Sequence, residues 1–178
     1  MQTETLFDDN AILIGIGANL ASPLHGPPVR SCIAAVAAVA EADIAVHRVS
    51  PWYESAPVPP SDQPRYVNGV AAIGTELTPD RLLARLHEIE AAFGRVRRKR
   101  NEARILDLDL LAYGRQIAAP PACPILPHPR IAERAFVLFP LRDIVPDWRH
   151  PVDGRSIDGM VAALAPGQDT RRLRPSSL

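Results

Sequence analysis

Two strand-like segments, residues 43–53 and 66–76, are separated by a dozen residues that include Pro57, Pro59, Pro60 and Pro64. Proline has no backbone N–H and a fixed φ, so a helix does not form in such an interval. Parallel strands need a crossover of about a dozen residues or more, usually helical. The two segments are therefore expected to pair as antiparallel neighbours. The elements around them complete an order. Residues 11–17, Ala-Ile-Leu-Ile-Gly-Ile-Gly, read as a buried strand closed by glycine. Residues 29–41 follow Pro27 and Pro28 and carry Ile33, Val36, Ala37 and Ala40 at helical spacing. Thr78 and Pro79 open a second helix, with Leu82, Leu83, Leu86, Ile89 and Phe93 on one face and Gly94 as its stop. Residues 105–113 resume as a strand.

The sequence order β-α-β-β-α-β predicts an α+β fold: a ferredoxin-like sandwich with a four-stranded, mostly antiparallel sheet and helices on its faces. A C-terminal extension follows, with a helical turn at Arg130–Glu133, an apolar stretch at Phe136–Leu141 and a short helix over 157–164. Residues 11–165 are expected to form one domain. Residues 1–10 and 166–178 are expected to be flexible, fraying from Arg171.

The 178 residues suit one domain. Twenty basic and 20 acidic side chains cancel, which argues against a general nucleic-acid or membrane-surface binder. The longest apolar run, Cys32–Ala40, is nine residues, about half a membrane span. Residues 1–10 are acidic and show no secretory pattern. Two cysteines, Cys32 and Cys123, fit a reducing compartment, so a cytoplasmic location is expected. Proline is in excess at 19 residues, and nine fall in two windows, 57–64 and 120–129. That clustering reads as two shaped loops rather than as a disordered chain.

Ile105-Leu-Asp-Leu-Asp-Leu-Leu111 is the sharpest chemical signal. On a strand, Asp107 and Asp109 share one face with Cα atoms about 6.6 Å apart, while Leu106, Leu108 and Leu110 face the core. Two bare carboxylates repel, and Mg²⁺ suits such a pair together with phosphate oxygens and water. The bland alternative is a solvated edge strand. Directly before the pair, Arg95 to Arg104 holds six bases and one acid, about +5 in a neutral chain. Acids beside guanidiniums suggest phosphate transfer. A solvated loop, or a ferredoxin-like module that uses this run to bind RNA or another polyanion, is the competing reading. Only nine aromatics are present and no RNP-like run, which counts against RNA. Tyr66 and Asn68 share one strand face and could stack on a flat ring and bond its edge, although a strand tyrosine is more often core. No Walker-type glycine loop and no Gly-x-Ser-x-Gly occurs.

Six segments in order carry a family resemblance: Gly17-Ala-Asn-Leu20; Tyr53-Glu-Ser-Ala-Pro57; Asp62-Gln-Pro-Arg-Tyr-Val-Asn68; Gly94-Arg-Val-Arg97; Arg104-Ile-Leu-Asp-Leu-Asp-Leu-Leu111; and Leu126-Pro-His-Pro-Arg130 with Glu133-Arg-Ala-Phe-Val-Leu138. Over about residues 11–165 the chain resembles 6-hydroxymethyl-7,8-dihydropterin pyrophosphokinase. The resemblance implies an ATP-dependent diphosphotransferase of folate biosynthesis, binding ATP and the pterin, acting as a monomer, with no nucleic-acid or membrane partner. It implies two Mg²⁺ ions on Asp107 and Asp109, with Arg95 and Arg104 as the other catalytic residues. Tyr66 and Phe136 would sandwich the pterin, Asn68 would bond its edge, and the backbone near Ser55 and Val58 would complete that pocket. Glu90, Arg95, Arg97, Arg104, His128 and Arg134 would serve ATP, with the backbone at Leu110 and Leu126 holding adenine. Glu102 and Ala103 depart from the family pattern, so an acid stands among the phosphate-binding bases. The arginine loop lacks proline, and the resemblance implies a loop that moves beside stiffened proline loops.

Overall fold

The computed structural model describes residues 10–42, 44–95 and 103–174. Arg97, Glu102 and most of the basic run lie outside them, as do 1–9 and 175–178. The strands are β1 (Ile12–Ala18), β2 (Ala45–Val49), β3 (Tyr53–Ser55), β4 (Tyr66–Gly74), β5 (Asp107–Tyr113) and β6 (Thr170–Arg172). The helices are α1 (Pro28–Glu41), α2 (Pro79–Ala92), α3 (Ala135–Ile144) and α4 (Ile157–Ala162), with a 3₁₀ turn at Ile131–Glu133. The sheet runs β5-β1-β4-β3-β6, with β2 also on β4, and every pairing is antiparallel.

The sheet therefore has six strands where four were expected. The strand read over 43–53 is in two pieces that pair successively along β4. Pro51 has no N–H for the ladder, and the Trp52 ring lies across Gly69, where a Cβ would come within 2.6 Å of it. Ser50 bridges the break: its N–H donates to the Val70 carbonyl at 2.9 Å, and its Oγ accepts from the Val70 N–H at 3.0 Å. The second correction is at the C-terminus. Thr170–Arg172, inside the segment expected to fray, pairs with Ser55, Glu54 and Tyr53 as β6.

Alternation along β1 divides the core. Ile14, Ile16 and Ala18 face α1 and α2, joining Cys32, Ala35, Leu82, Leu86, Leu108 and Leu110. Each fully buried leucine or isoleucine contributes roughly 1.5–3 kcal/mol relative to exposure. Both helices begin with proline at N1 or N2. Thr78 occupies the N-cap of α2, but no side-chain capping bond forms, and its hydroxyl bonds the Asp80 carboxylate instead. Gly94 follows α2 at φ +85, a left-handed conformation that glycine adopts freely. On the opposite face Leu13, Val70, Ala72 and Leu111 pack under α3 and α4 with Trp148, Ile157 and Met160. Gly15, Gly17, Asn68, Asp107 and Asp109, on the uncovered part of this same face, line an open cleft.

Tyr53 ties α3 to the sheet, its hydroxyl donating to Asp143 Oδ2 at 2.7 Å. Burial, then the hydrogen bond to Asp143 and that carboxylate's charge, pushes this phenol up to about 12. A folded value above the unfolded one means that the contribution is complete below the unfolded value of 10.0 and is lost as pH rises toward about 12. Tyr53→Phe is expected to lower unfolding free energy by about 1 kcal/mol at pH 8. Denaturant titration should show wild type and variant converging above pH 10. A constant gap across that range would contradict the assignment.

Candidate active site

β5 and β1 set the floor of the cleft. Asp107 lies opposite Gly17 and Asp109 opposite Gly15, and Gly17 lies opposite Asn68 on β4. A Cβ on Gly17 would come within 3.3 Å of Asn68 Oδ1, and one on Gly15 within 3.5 Å of the Leu111 side chain. Main chain rather than side chain therefore separates the carboxylates from the amide. Leu106, Leu108 and Leu110 are buried on the other side of β5, as the alternation requires.

The cleft has a volume of about 660 Å³. Ser55, Val58, Tyr66, Asn68 and Phe136 line it, and so do Arg95, Arg104, Asp107, Asp109, His128 and Arg134. Glu90 is buried behind the wall at 1% exposure, accepting from the Leu108 N–H at 2.7 Å. Leu110 and Leu126 sit in the core rather than in the lining, and Leu126 exchanges both backbone bonds with Ala118. Arg97 falls outside the described residues.

Charge balance explains how the acids share one strand. Arg95 Nη1 donates to both Glu90 and Asp107, and Arg104 Nη1 donates to the other Asp107 oxygen. Burial raises the Asp107 carboxyl, but the Arg104 and Arg95 guanidiniums overcome that and hold it below the usual carboxylate range. Among the described residues Asp109 pairs with Arg134, at 4.0 Å. Burial, then the Asp107 charge, raises Asp109 to about 6. The pair is not a uniformly solvated edge: Asp107 is held by Arg95 and Arg104, whereas Asp109 keeps 40% of its side chain exposed toward the open cleft. Arg95 and Arg104 both line the cleft.

The ring-binding side is built from polar and aromatic groups. Asn68 Nδ2 donates to Ser55 Oγ at 2.9 Å, leaving its Oδ1 to accept. The Arg104 guanidinium stands 6.0 Å from the Tyr66 ring and that of Arg134 5.4 Å from Phe136. His128 Nδ1 accepts from the Arg130 N–H at 3.1 Å. Burial, then Arg134 and Arg130, lowers its pKa to about 4. The ring is thus neutral at pH 7 with its proton on Nε2.

Sequence reasoning assigned no role to Asn19, which is 2% exposed. Its Oδ1 accepts from the Arg104 N–H at 2.8 Å, and its N–H donates to the Arg104 carbonyl at 3.0 Å. Its Nδ2 donates to Gln63 Oε1 and to the Pro64 carbonyl, each at 3.2 Å. Gln63 Oε1 also accepts from the Tyr66 hydroxyl at 2.9 Å. One amide therefore joins Arg104 to the first proline loop. The only sequence signal was a Gly-Ala-Asn just past β1. His87 and Arg130 also line the cleft without having been expected there.

Comparison with known proteins agrees with this constellation. The model of the family described as 7,8-dihydro-6-hydroxymethylpterin-pyrophosphokinase matches residues 13–146. The chain belongs to this family. It is 42% identical over 162 residues to the 2-amino-4-hydroxy-6-hydroxymethyldihydropteridine pyrophosphokinase of Pseudomonas aeruginosa, covering 91% of this chain and 96% of that protein. A protein of the same description from Synechocystis is 41% identical over 146 residues, 82% of this chain and 71% of that one. The folic acid synthesis protein fol1 of Pneumocystis carinii is 39% identical over 157 residues, 88% of this chain but 20% of that longer protein. No helix among the described residues is long and apolar enough to cross a membrane.

Proposed function

We propose that this chain transfers pyrophosphate from ATP to the hydroxymethyl group of 6-hydroxymethyl-7,8-dihydropterin, a step of folate biosynthesis. The observation that carries the reading is the convergence of Asp107, Asp109, Arg95 and Arg104 with Tyr66, Asn68 and Phe136 in a single cleft. The pterin hydroxyl oxygen attacks the β-phosphorus. The bond from that phosphorus to the α,β-bridging oxygen breaks, AMP leaves with the bonding electron pair, and the hydroxyl proton passes to water in the open cleft. The tasks left to the protein are alignment and charge neutralisation.

Tyr66 and Phe136 hold the ring between them, and Asn68 Oδ1 accepts from its edge. Ser55 fixes the Asn68 amide, and the backbone near Val58 closes that side. Arg95 and Arg104 exchange Asp107 for phosphate oxygens. Arg134 and the Nε2–H of His128 serve the nucleotide, Glu90 holds Arg95, and Arg97 completes the ATP side. Leu110 and Leu126, outside the lining and with the Leu126 N–H given to Ala118, support that wall from behind rather than bond adenine. Two Mg²⁺ ions fit the donor set: Asp107 and Asp109 offer hard oxygens on one strand face, and Gly15 and Gly17 keep the facing strand clear. No cluster of three or more ligating side chains occurs among the described residues, so Asp107 and Asp109 would share the ions with phosphate and water. Bound there, the ions would offset phosphate charge and acidify the attacking hydroxyl.

A monomer fits a cleft completed within one chain. The cytoplasm, where ATP is at hand and free thiols such as Cys32 and Cys123 persist, fits the substrates. The order β-α-β-β-α-β, with β2 and β3 taken as one interrupted strand, supports a ferredoxin-like core. The test is AMP release by the purified chain. It should require the pterin and Mg²⁺ together, and a folded protein that releases none with both present would overturn the reading.

A further inference from the structure

Residues after 146 lie beyond the match to the family model, yet one dipeptide there grips both walls of the cleft. α3 begins without a cap of its own, because Arg134 stands at the N-cap and makes no side-chain capping bond. Gln168 supplies the missing acceptor from a distant part of the chain. Its Oε1 accepts from the Ala135 N–H at 2.8 Å, and its Nε2 donates to the Glu133 carbonyl at 2.9 Å. These two bonds bracket Arg134 and end one residue before Phe136. The next residue reaches the opposite wall. The Asp169 carbonyl accepts from the Ala56 N–H at 3.0 Å, and its carboxylate meets Arg65, the neighbour of Tyr66, at 2.7 Å. Thr170 then pairs with Ser55 at the start of β6.

We infer that Gln168 is a positioning residue that sets the gap between the two ring-holding walls. It fixes the backbone bearing Arg134 and Phe136 against the strand bearing Ser55 and the loop leading into Tyr66. The inference rests on the pterin reading of those walls. Gln168 outweighs Asp169 in this role. Asp169 is 62% exposed, and an exposed ion pair contributes little. The Ala135 N–H, by contrast, is in the first turn of a helix, where no intrahelical acceptor exists. A neutral amide is also the side chain that meets both needs at once, with an acceptor for Ala135 and a donor for Glu133. A carboxylate keeps only the first, and leucine keeps neither.

The test is calorimetric titration of 6-hydroxymethyl-7,8-dihydropterin into the full chain with Mg²⁺ and an unreactive ATP analogue, alongside steady-state kinetics. Gln168→Leu is expected to raise the pterin Kd and KM about fivefold to tenfold, as loss of a cap at this site implies. Turnover at saturation should fall much less. Gln168→Glu, which keeps the acceptor, should lie between the two. A purely structural role would lower Tm and leave Kd and KM unchanged in the folded protein, and that result for Gln168→Leu overturns the inference. Should Gln168→Leu fail to fold, a wild-type Kd in Gln168→Glu overturns it equally. A wild-type chain that binds no pterin would overturn the functional reading and this inference together, whereas tight wild-type binding with indifferent variants removes this inference alone.

Discussion

Asp109→Ala is expected to lower turnover on the order of 10³-fold, the scale for removing one element of a preorganised charge-stabilising site, with a chain that still folds and binds pterin. The environment of this carboxylate separates it from a structural acid. Its pKa is raised to about 6, by burial first and then by Asp107. A raised carboxyl opposes folding once it ionises, so its contribution diminishes as pH rises through that value. Removing it is therefore expected not to lower Tm at pH 7. Asp107→Ala behaves differently. That carboxylate is held low by Arg104 and Arg95 against the pull of burial, so it supports the fold above the usual carboxylate range and ceases to as pH falls. Its loss leaves Arg104 without this acceptor in the cleft and costs roughly 3 kcal/mol as well as activity. Steady-state rates with thermal melts on both variants distinguish the two roles. Near wild-type turnover in Asp109→Ala, or loss of pterin binding with normal turnover at saturation, would remove the metal assignment.

Arg104→Ala slows the chemical step roughly 10²- to 10³-fold, the range for losing one donor aimed at developing charge. Pterin affinity changes far less. The guanidinium lies 6.0 Å from the Tyr66 ring, and a cation–π contact of that kind contributes about 0.5–1 kcal/mol, at most about fivefold in Kd. Arg104→Lys restores the charge without the planar fork and recovers only part of the rate. Single-turnover quench measurements with prebound pterin isolate this step. A rate equal to wild type would take Arg104 off the catalytic list.

The parts of the fold legible in the sequence are those set by local periodicity. Alternating leucines around Asp107 and Asp109 gave the strand and its two faces, and the leucines of α2 gave its buried side. The antiparallel pairing across the proline loop followed from a short connection that leaves no room for a crossover helix. Other features depend on partners far away in sequence. The break at Pro51 and Trp52 makes sense only with Gly69 beneath the indole. β6 is Thr-Arg-Arg, an edge strand with no apolar signal, held by its ladder to β3. α3 was visible only as an apolar stretch, because Pro140 inside it argues against helix, and tertiary burial of Leu138 and Leu141 prevails. In the site, residue types with intrinsic chemistry were found, and the groups that hold them were not. Asn19 and Gln168 act through backbone atoms 85 and 33 residues away, contacts that leave no local pattern.

The glycine floor has a consequence for how this pocket can vary. Where Gly15 and Gly17 run between the carboxylates and Asn68, a ligand faces peptide groups. Peptide groups are the same for every residue except proline, which lacks the N–H, so other point mutations neither remove nor recharge them. Substitution can only add atoms, and at Gly17 the first added carbon already crowds the Asn68 oxygen. A compound that drew its affinity from this strip would face few routes to escape, since changes there obstruct the natural substrate as well. In this chain the groups that substitution can recharge or reshape stand at the rim: the proline loops, the arginines and the two aromatics.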